Sequence, residues 1–215
     1  MRKQEQDILD ELIARYPVLD VCRNSIQDVF ELMVDCYKHG GKLLLAGNGG
    51  SAADSGHIVG ELMKSFRLKR PISDDLRKRL ISIDSRRGGI LAAKLESPLE
   101  AISLVEHQAL TTAFSNDVDA SLSYAQQLLG YGKKGDVFLG ISTSGNSTNI
   151  IDAAIVAKAL NLMVIGLTGE SGGHLVDISD IIIRVPADET FKIQELHLPV
   201  YHCICLMLES FFHGM

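Results

Sequence analysis

Residues 42–51 read KLLLAGNGGS, and this stretch decides the fold. An unbroken apolar run such as LLLA suits a β-strand covered on both faces, because a half-exposed strand would alternate apolar and polar residues. The glycines that follow allow a sharp turn and close approach of backbone N–H groups to a ligand. A helical pattern then begins near residue 51. Residues 136–147, DVFLGISTSGNS, repeat the arrangement: an apolar run, a loop of small residues, and a helical pattern over 147–160. Further apolar runs lie at 101–104, 163–167 and 181–185, with helical patterns at about 51–66, 108–130 and 190–213. Strand alternating with helix predicts an α/β fold, a mainly parallel five-stranded sheet with helices on both faces.

Outward from this frame, residues 4–16 and about 20–39 carry apolar side chains at spacings of three and four, which predicts two N-terminal amphipathic helices. The second places Val21, Ile26, Val29, Phe30, Met33, Val34 and Tyr37 on its buried side and stops at Gly40-Gly41. Residues 66–100 are charge-rich and weakly periodic, and read as an inserted helical excursion, not a second core. The expectation is one domain over 1–215.

The chain has 215 residues, 46% hydrophobic and 22% charged, enough for a sizeable core. Its net charge of −6 argues against a long nucleic-acid footprint or an anionic membrane surface. No apolar run is long enough to span a bilayer, and MRKQEQDILDELIARY lacks the apolar block of a secretory signal, so a cytosolic protein is expected. Cys22, Cys36, Cys203 and Cys205 form no CxxC pair and read as reduced, packed thiols.

Both loops would lie at the carboxyl ends of their strands, where open α/β sheets bind ligands. Helix N-termini offer unpaired N–H donors and a positive dipole end, which suits a phosphate. Ser142, Thr143, Ser144 and Ser147 add hydroxyls in the second loop; Asn48, Gly49, Gly50 and Ser51 form the first. Either loop alone could be a tight turn with a Ser helix cap; two of them after two buried strands point to a small phosphorylated metabolite. Neither GxGxxG nor GxxxxGKS occurs here, so dinucleotides and nucleoside triphosphates are not indicated.

The helix after the first loop carries His57 and Glu61, four apart and one turn from each other on one face. The last helix carries Gln194 and His202 on neighbouring azimuths two turns apart. Imidazole, carboxylate and amide oxygen could together hold a borderline cation such as Zn²⁺, and Glu and His also serve proton transfer near neutral pH. An i, i+4 His–Glu pair is more often a surface pair, and two helices distant in sequence need not meet. His197, Glu195, Asp54 and Glu209 are further candidates, and spacing does not choose among them.

GNGGSAADSGHIVGEL (47–62), the Asn116-Asp117 pair, GDVFLGISTSGNS (135–147) and IQELHLPVYH (193–202) together resemble the sugar-isomerase (SIS) domain family, most closely its phosphoheptose isomerase members. The resemblance implies a flavodoxin-like doubly wound domain in a homotetramer, with active sites between subunits. It implies substrate contacts from Asn48, Gly49, Gly50, Asn116, Asp117, Ser142, Thr143, Ser144, Ser147 and Gln194. Zinc would be held by His57, Glu61, Gln194 and His202, with Glu61 and His202 as the catalytic pair. The reaction implied is aldose–ketose interconversion of sedoheptulose 7-phosphate and D-glycero-D-manno-heptose 7-phosphate. Non-catalytic relatives bind protein partners or sense sugar phosphates, and other relatives isomerise other sugar phosphates; the presence here of Glu61, His202 and both loops favours an enzyme. The family pattern has Arg where Ser65 stands, which leaves Lys64 as the candidate basic contact.

Overall fold

The computed structural model describes residues 1–214. Strands β1 (Leu43–Gly47), β2 (Ala101–Ser103), β3 (Val137–Ile141), β4 (Met163–Thr168) and β5 (Ile181–Arg184) form one sheet in the order β2-β1-β3-β4-β5. Every pairing is parallel. This is the flavodoxin-like order, in which successive connections run one way from β1 and the other way from β3. Residues in β1 alternate sides: Leu43 and Leu45 face one apolar layer, Leu44 and Ala46 the other. The unbroken apolar runs are thereby explained, since both sides of each inner strand are covered.

The first layer is built by α1 (Lys3–Arg15), α2 (Arg23–Lys38), α3 (Gly50–Met63) and α10 (Thr190–His213). The second is built by α7 (Ser123–Tyr131), α8 (Thr148–Ala159) and α9 (Leu175–Ile178). Small buried residues on α8, Ala153, Ala154 and Ala157, let it lie close on the sheet. Gly140 of β3 completes the fit, because a Cβ there would meet Ile150 Cγ2 at 2.8 Å.

Two expectations need correction. Val21 is not on the buried side of α2: it is 76% exposed, in a 3₁₀ turn over Pro17–Cys22 that precedes the helix. The tighter three-residue repeat rotates Val21 outward and Cys22 inward. The predicted helix over 108–130 is also broken, into α6 (Gln108–Phe114), a π turn (Ser115–Asp119), a 3₁₀ turn (Ala120–Leu122) and α7. Asp119 is extended and its carboxylate accepts from the Ser121 N–H at 2.8 Å. Short polar side chains of this kind compete with the helical backbone for hydrogen bonds.

Within 66–100 the chain forms a helical hairpin, α4 (Asp74–Ile83) and α5 (Ser85–Lys94). Ser73 caps α4 and Asp84 caps α5 through side-chain oxygens that accept backbone N–H groups. No residue of α4 is buried, and the two helices pack chiefly on each other. Among the described residues no helix is long and apolar enough to cross a membrane.

Candidate active site

The register of β1 on β3 pairs Gly47 with Ile141, so the two small-residue loops leave adjacent strands side by side. They do so where the sheet order reverses, which is where doubly wound sheets open a ligand crevice. Gly49 adopts φ 56°, ψ −119°, a conformation reserved for glycine, and turns the chain into α3. In the second loop Gly145 has φ 65°, and a Cβ there would meet the Gly172 carbonyl at 1.9 Å. The loop is thus seated directly on residues 169–174.

Inside this frame the hydroxyls of Ser142 and Ser147 lie 3.0 Å apart, and the Ser144 hydroxyl accepts from the Asn146 N–H at 3.1 Å. Thr143 and Ser144 line a cleft of about 200 Å³ together with Gly169, Glu170, Asp188 and Thr190. Ser51 is buried beneath the first loop, with its N–H donating to the Asn48 carbonyl at 3.0 Å. Asn48 makes a reciprocal amide pair with Asn149, each donating at 2.9 Å, which ties the two loops together. Asn149 was missed by sequence reading, since one Asn in a helix's first turn carries no periodic signal. Asn116 and Asp117 bond to each other at 2.9 Å on the exposed π turn and, among the described residues, make no hydrogen bond to either loop.

The two distant helices do meet. The His57 Nε2 lies 3.3 Å from Glu61 Oε1 and 3.4 Å from His202 Nε2. Gln194 lies over the start of α3, where a Cβ on Gly50 would meet its Nε2 at 2.5 Å. Glu61 is only 13% exposed, and its other oxygen accepts from Lys64 Nζ at 3.2 Å. Lys64 therefore brings its cation to this carboxylate. Ser65 is turned elsewhere, bonding the Glu96 carboxylate through N–H and hydroxyl at 2.8 and 2.6 Å. Burial, reinforced by the neighbouring His57 and Arg15, holds the His202 imidazole below its usual range, with Glu61 opposing. Phe66 packs on the same ring, centroids 5.4 Å apart.

The remaining candidates separate by burial. His197 is fully buried on the far side of α10, and neither ring nitrogen makes a hydrogen bond of good geometry. Glu209 is buried in an ion pair with Arg70 at 2.8 Å. Glu195 has no contact to the cluster among those described, whereas Asp54 accepts from the Tyr201 hydroxyl at 3.1 Å. All four cysteines are free and buried, and burial pushes the Cys22 and Cys36 thiols up to about 11, out of reach of reaction at neutral pH.

Two separations in the cluster match those between ligands of a borderline divalent cation. Bonds of 2.0–2.1 Å in tetrahedral geometry set donor–donor edges of about 3.3–3.4 Å, the separations of the His57 nitrogen from Glu61 and His202. Among the described residues no three His, Cys, Asp or Glu side chains already form a closed metal-binding group. A metal would therefore complete the set only by drawing side chains in from these positions; Gln194, the fourth expected donor, lies against Gly50 and, among the described residues, makes no hydrogen bond to His57, Glu61 or His202.

Comparison with known proteins agrees with this architecture. The SIS domain model matches residues 17–79 and 81–169. A phosphoheptose isomerase of Aneurinibacillus thermoaerophilus is 37% identical over 185 residues, 86% of this chain and 80% of the relative. The solved structure of the phosphoheptose isomerase of Neisseria gonorrhoeae superposes with a TM-score of 0.73 at 31% identity, covering 94% of each chain. That of Francisella tularensis gives 0.72 at 30% identity, covering 98% of this chain and 100% of the other. With its sheet order, its paired loops and these relatives, the chain belongs to the SIS domain family, in its phosphoheptose isomerase branch.

Proposed function

We propose that the chain interconverts sedoheptulose 7-phosphate and D-glycero-D-manno-heptose 7-phosphate through an enediol. One observation carries the reading: Glu61 and His202, from helices far apart in sequence, both converge on His57 Nε2 within 3.4 Å, on the helix that the first loop opens. The loop hydroxyls and the N–H groups at the starts of α3 and α8 hold the phosphate, and that binding energy orients the reacting carbons. In the ketose-to-aldose direction the Glu61 carboxylate takes a proton from C1, and His202 gives a proton to O2. The enediol then receives a proton at C2 and releases one from the C1 hydroxyl, which leaves the aldose.

His57, Glu61, Gln194 and His202 would hold zinc, which when bound supplies Lewis-acid stabilisation of negative charge at the substrate oxygen. The chain acts in the cytosol as a homotetramer. An exposed apolar groove flanked by Phe114, Leu122, Leu129, Ile155 and Val156 supports a buried subunit contact. Assembly also gives Asn116 and Asp117 a route to a site other than the one in their own chain.

The test is conversion of sedoheptulose 7-phosphate to aldose, with and without a chelator. A positioned acid or base contributes about 10²–10⁴-fold, so Glu61→Gln lowers kcat by at least about 10²-fold while phosphate affinity survives. Ser144→Ala weakens affinity chiefly. Near-normal turnover of Glu61→Gln would remove the assigned base.

A further inference from the structure

Behind His57 lies a chain of polar groups that the isomerisation scheme does not use. Tyr201, 3% exposed, has its hydroxyl 3.0 Å from His57 Nδ1 and 3.1 Å from Asp54 Oδ1. The hydroxyl has one proton. An ionised carboxylate can only accept, so that proton goes to Asp54, and the bond to His57 must then be donated by the ring. The proton of a neutral His57 is thereby fixed on Nδ1, and the Nε2 lone pair is aimed at the gap shared with Glu61 and His202. The T-shaped contact of the two rings, centroids 5.6 Å apart at 73°, fixes the plane of the imidazole as well.

Asp54 carries a second signature. Its Oδ2 is buried without a hydrogen-bond partner. Burying an unpaired carboxylate oxygen is destabilising, so stability gives no reason for a carboxylate here, and each such group calls for another explanation. Orientation of the Tyr201 hydroxyl supplies one.

We propose that Tyr201 and Asp54 are positioning residues, a relay that holds His57 in its Nδ1–H tautomer and presents Nε2 as a ready metal ligand. The metal-ligand part rests on the zinc site proposed above, whereas the tautomer does not. Partners of this kind behind a ligating histidine typically account for about 10–100-fold in metal affinity.

The experiment compares wild type, Tyr201→Phe and Asp54→Asn, metal-free and labelled with ¹⁵N-histidine. Two-bond ¹H–¹⁵N correlation spectra at pH 8 report the tautomer, with His57 assigned by its disappearance in His57→Gln. Zinc affinity is read in parallel by competition with a chromophoric chelator. Wild-type His57 is expected as the Nδ1–H form. Tyr201→Phe shifts it toward Nε2–H and raises the zinc Kd about 10–100-fold, and Asp54→Asn moves both readouts the same way by less. A loss of the Nδ1–H form in Tyr201→Phe upholds the relay even if no variant binds zinc, a result that would remove the metal site alone. A wild-type Nε2–H tautomer, or a Tyr201→Phe protein with tautomer and zinc Kd both unchanged, overturns the proposal.

Discussion

Truncation of Glu209 to alanine is the perturbation whose cost follows most directly from the structure. Glu209 and Arg70 are 1% and 0% exposed, with Nε donating to Oε1 at 2.8 Å. The carboxylate also accepts the backbone N–H groups of Phe66, Arg67 and Leu68 at 2.8, 2.8 and 2.9 Å. Arg70 in turn donates to the carbonyls of Leu62 and Glu61 at 2.7 and 3.1 Å, closing the C-terminal end of α3. Glu209→Ala leaves a buried guanidinium without counter-charge and three N–H groups without an acceptor. Breaking a buried pair from one side costs about 3–5 kcal/mol. At roughly 2–4 °C per kcal/mol for a chain of this size, the thermal midpoint falls by about 6–20 °C. Arg70→Met keeps the three N–H bonds and costs less, and the double variant costs less than the sum of the two. Burial alone would raise the Glu209 carboxyl, but the three N–H donors and Arg70 outweigh it and hold it below its ordinary 4.5. Its contribution is therefore full above that value and is lost as pH falls through the lowered range. Urea unfolding followed by circular dichroism measures each variant. A Glu209→Ala protein within about 1 kcal/mol of wild type, with strictly additive double-variant costs, would refute the account of this pair and its loop.

Gly50→Ala tests how closely α10 approaches α3: a Cβ at 2.5 Å from Gln194 Nε2 displaces that flexible side chain, so zinc affinity falls while the thermal midpoint moves little. Gly145→Ala meets backbone instead, 1.9 Å from the Gly172 carbonyl at φ 65°; inorganic phosphate affinity, read by calorimetry, falls at least about tenfold as an avoided clash of 1.4 kcal/mol or more is imposed on the loop. Burial pushes His197 down to about 4, with a backbone contact at Thr168 opposing. The unfolded chain then binds the extra proton first, so stability drops by up to about 3 kcal/mol as pH falls from about 6.5 to 4, and a His197→Leu variant shows a smaller drop over that window.

The strands were legible because coverage on both faces leaves an unmistakable apolar run, as in LLLA at 43–46. The pairing of Gly47 with Ile141 was not, since register depends on which strands become neighbours. His57 and Glu61 could be read as one face of a helix, but the convergence of His202 on them is set by the packing of α10 against α3 and needed tertiary structure. Val21 was misplaced because amphipathic spacing alone cannot tell a 3₁₀ turn from the start of an α-helix. Asn149 and Tyr201 escaped notice for a related reason: each acts through one partner distant in sequence, and no spacing rule marks such a residue.

The most direct test of the account is the exchange of substrate protons with solvent. Incubated with sedoheptulose 7-phosphate in D₂O and followed by NMR, the zinc-loaded protein should produce the aldose with deuterium at C2, and Glu61→Gln should lose at least about 99% of that rate. Failure of wild type to form aldose, or aldose formation at undiminished rate by Glu61→Gln, would contradict the assignment of Glu61 as the base at carbon.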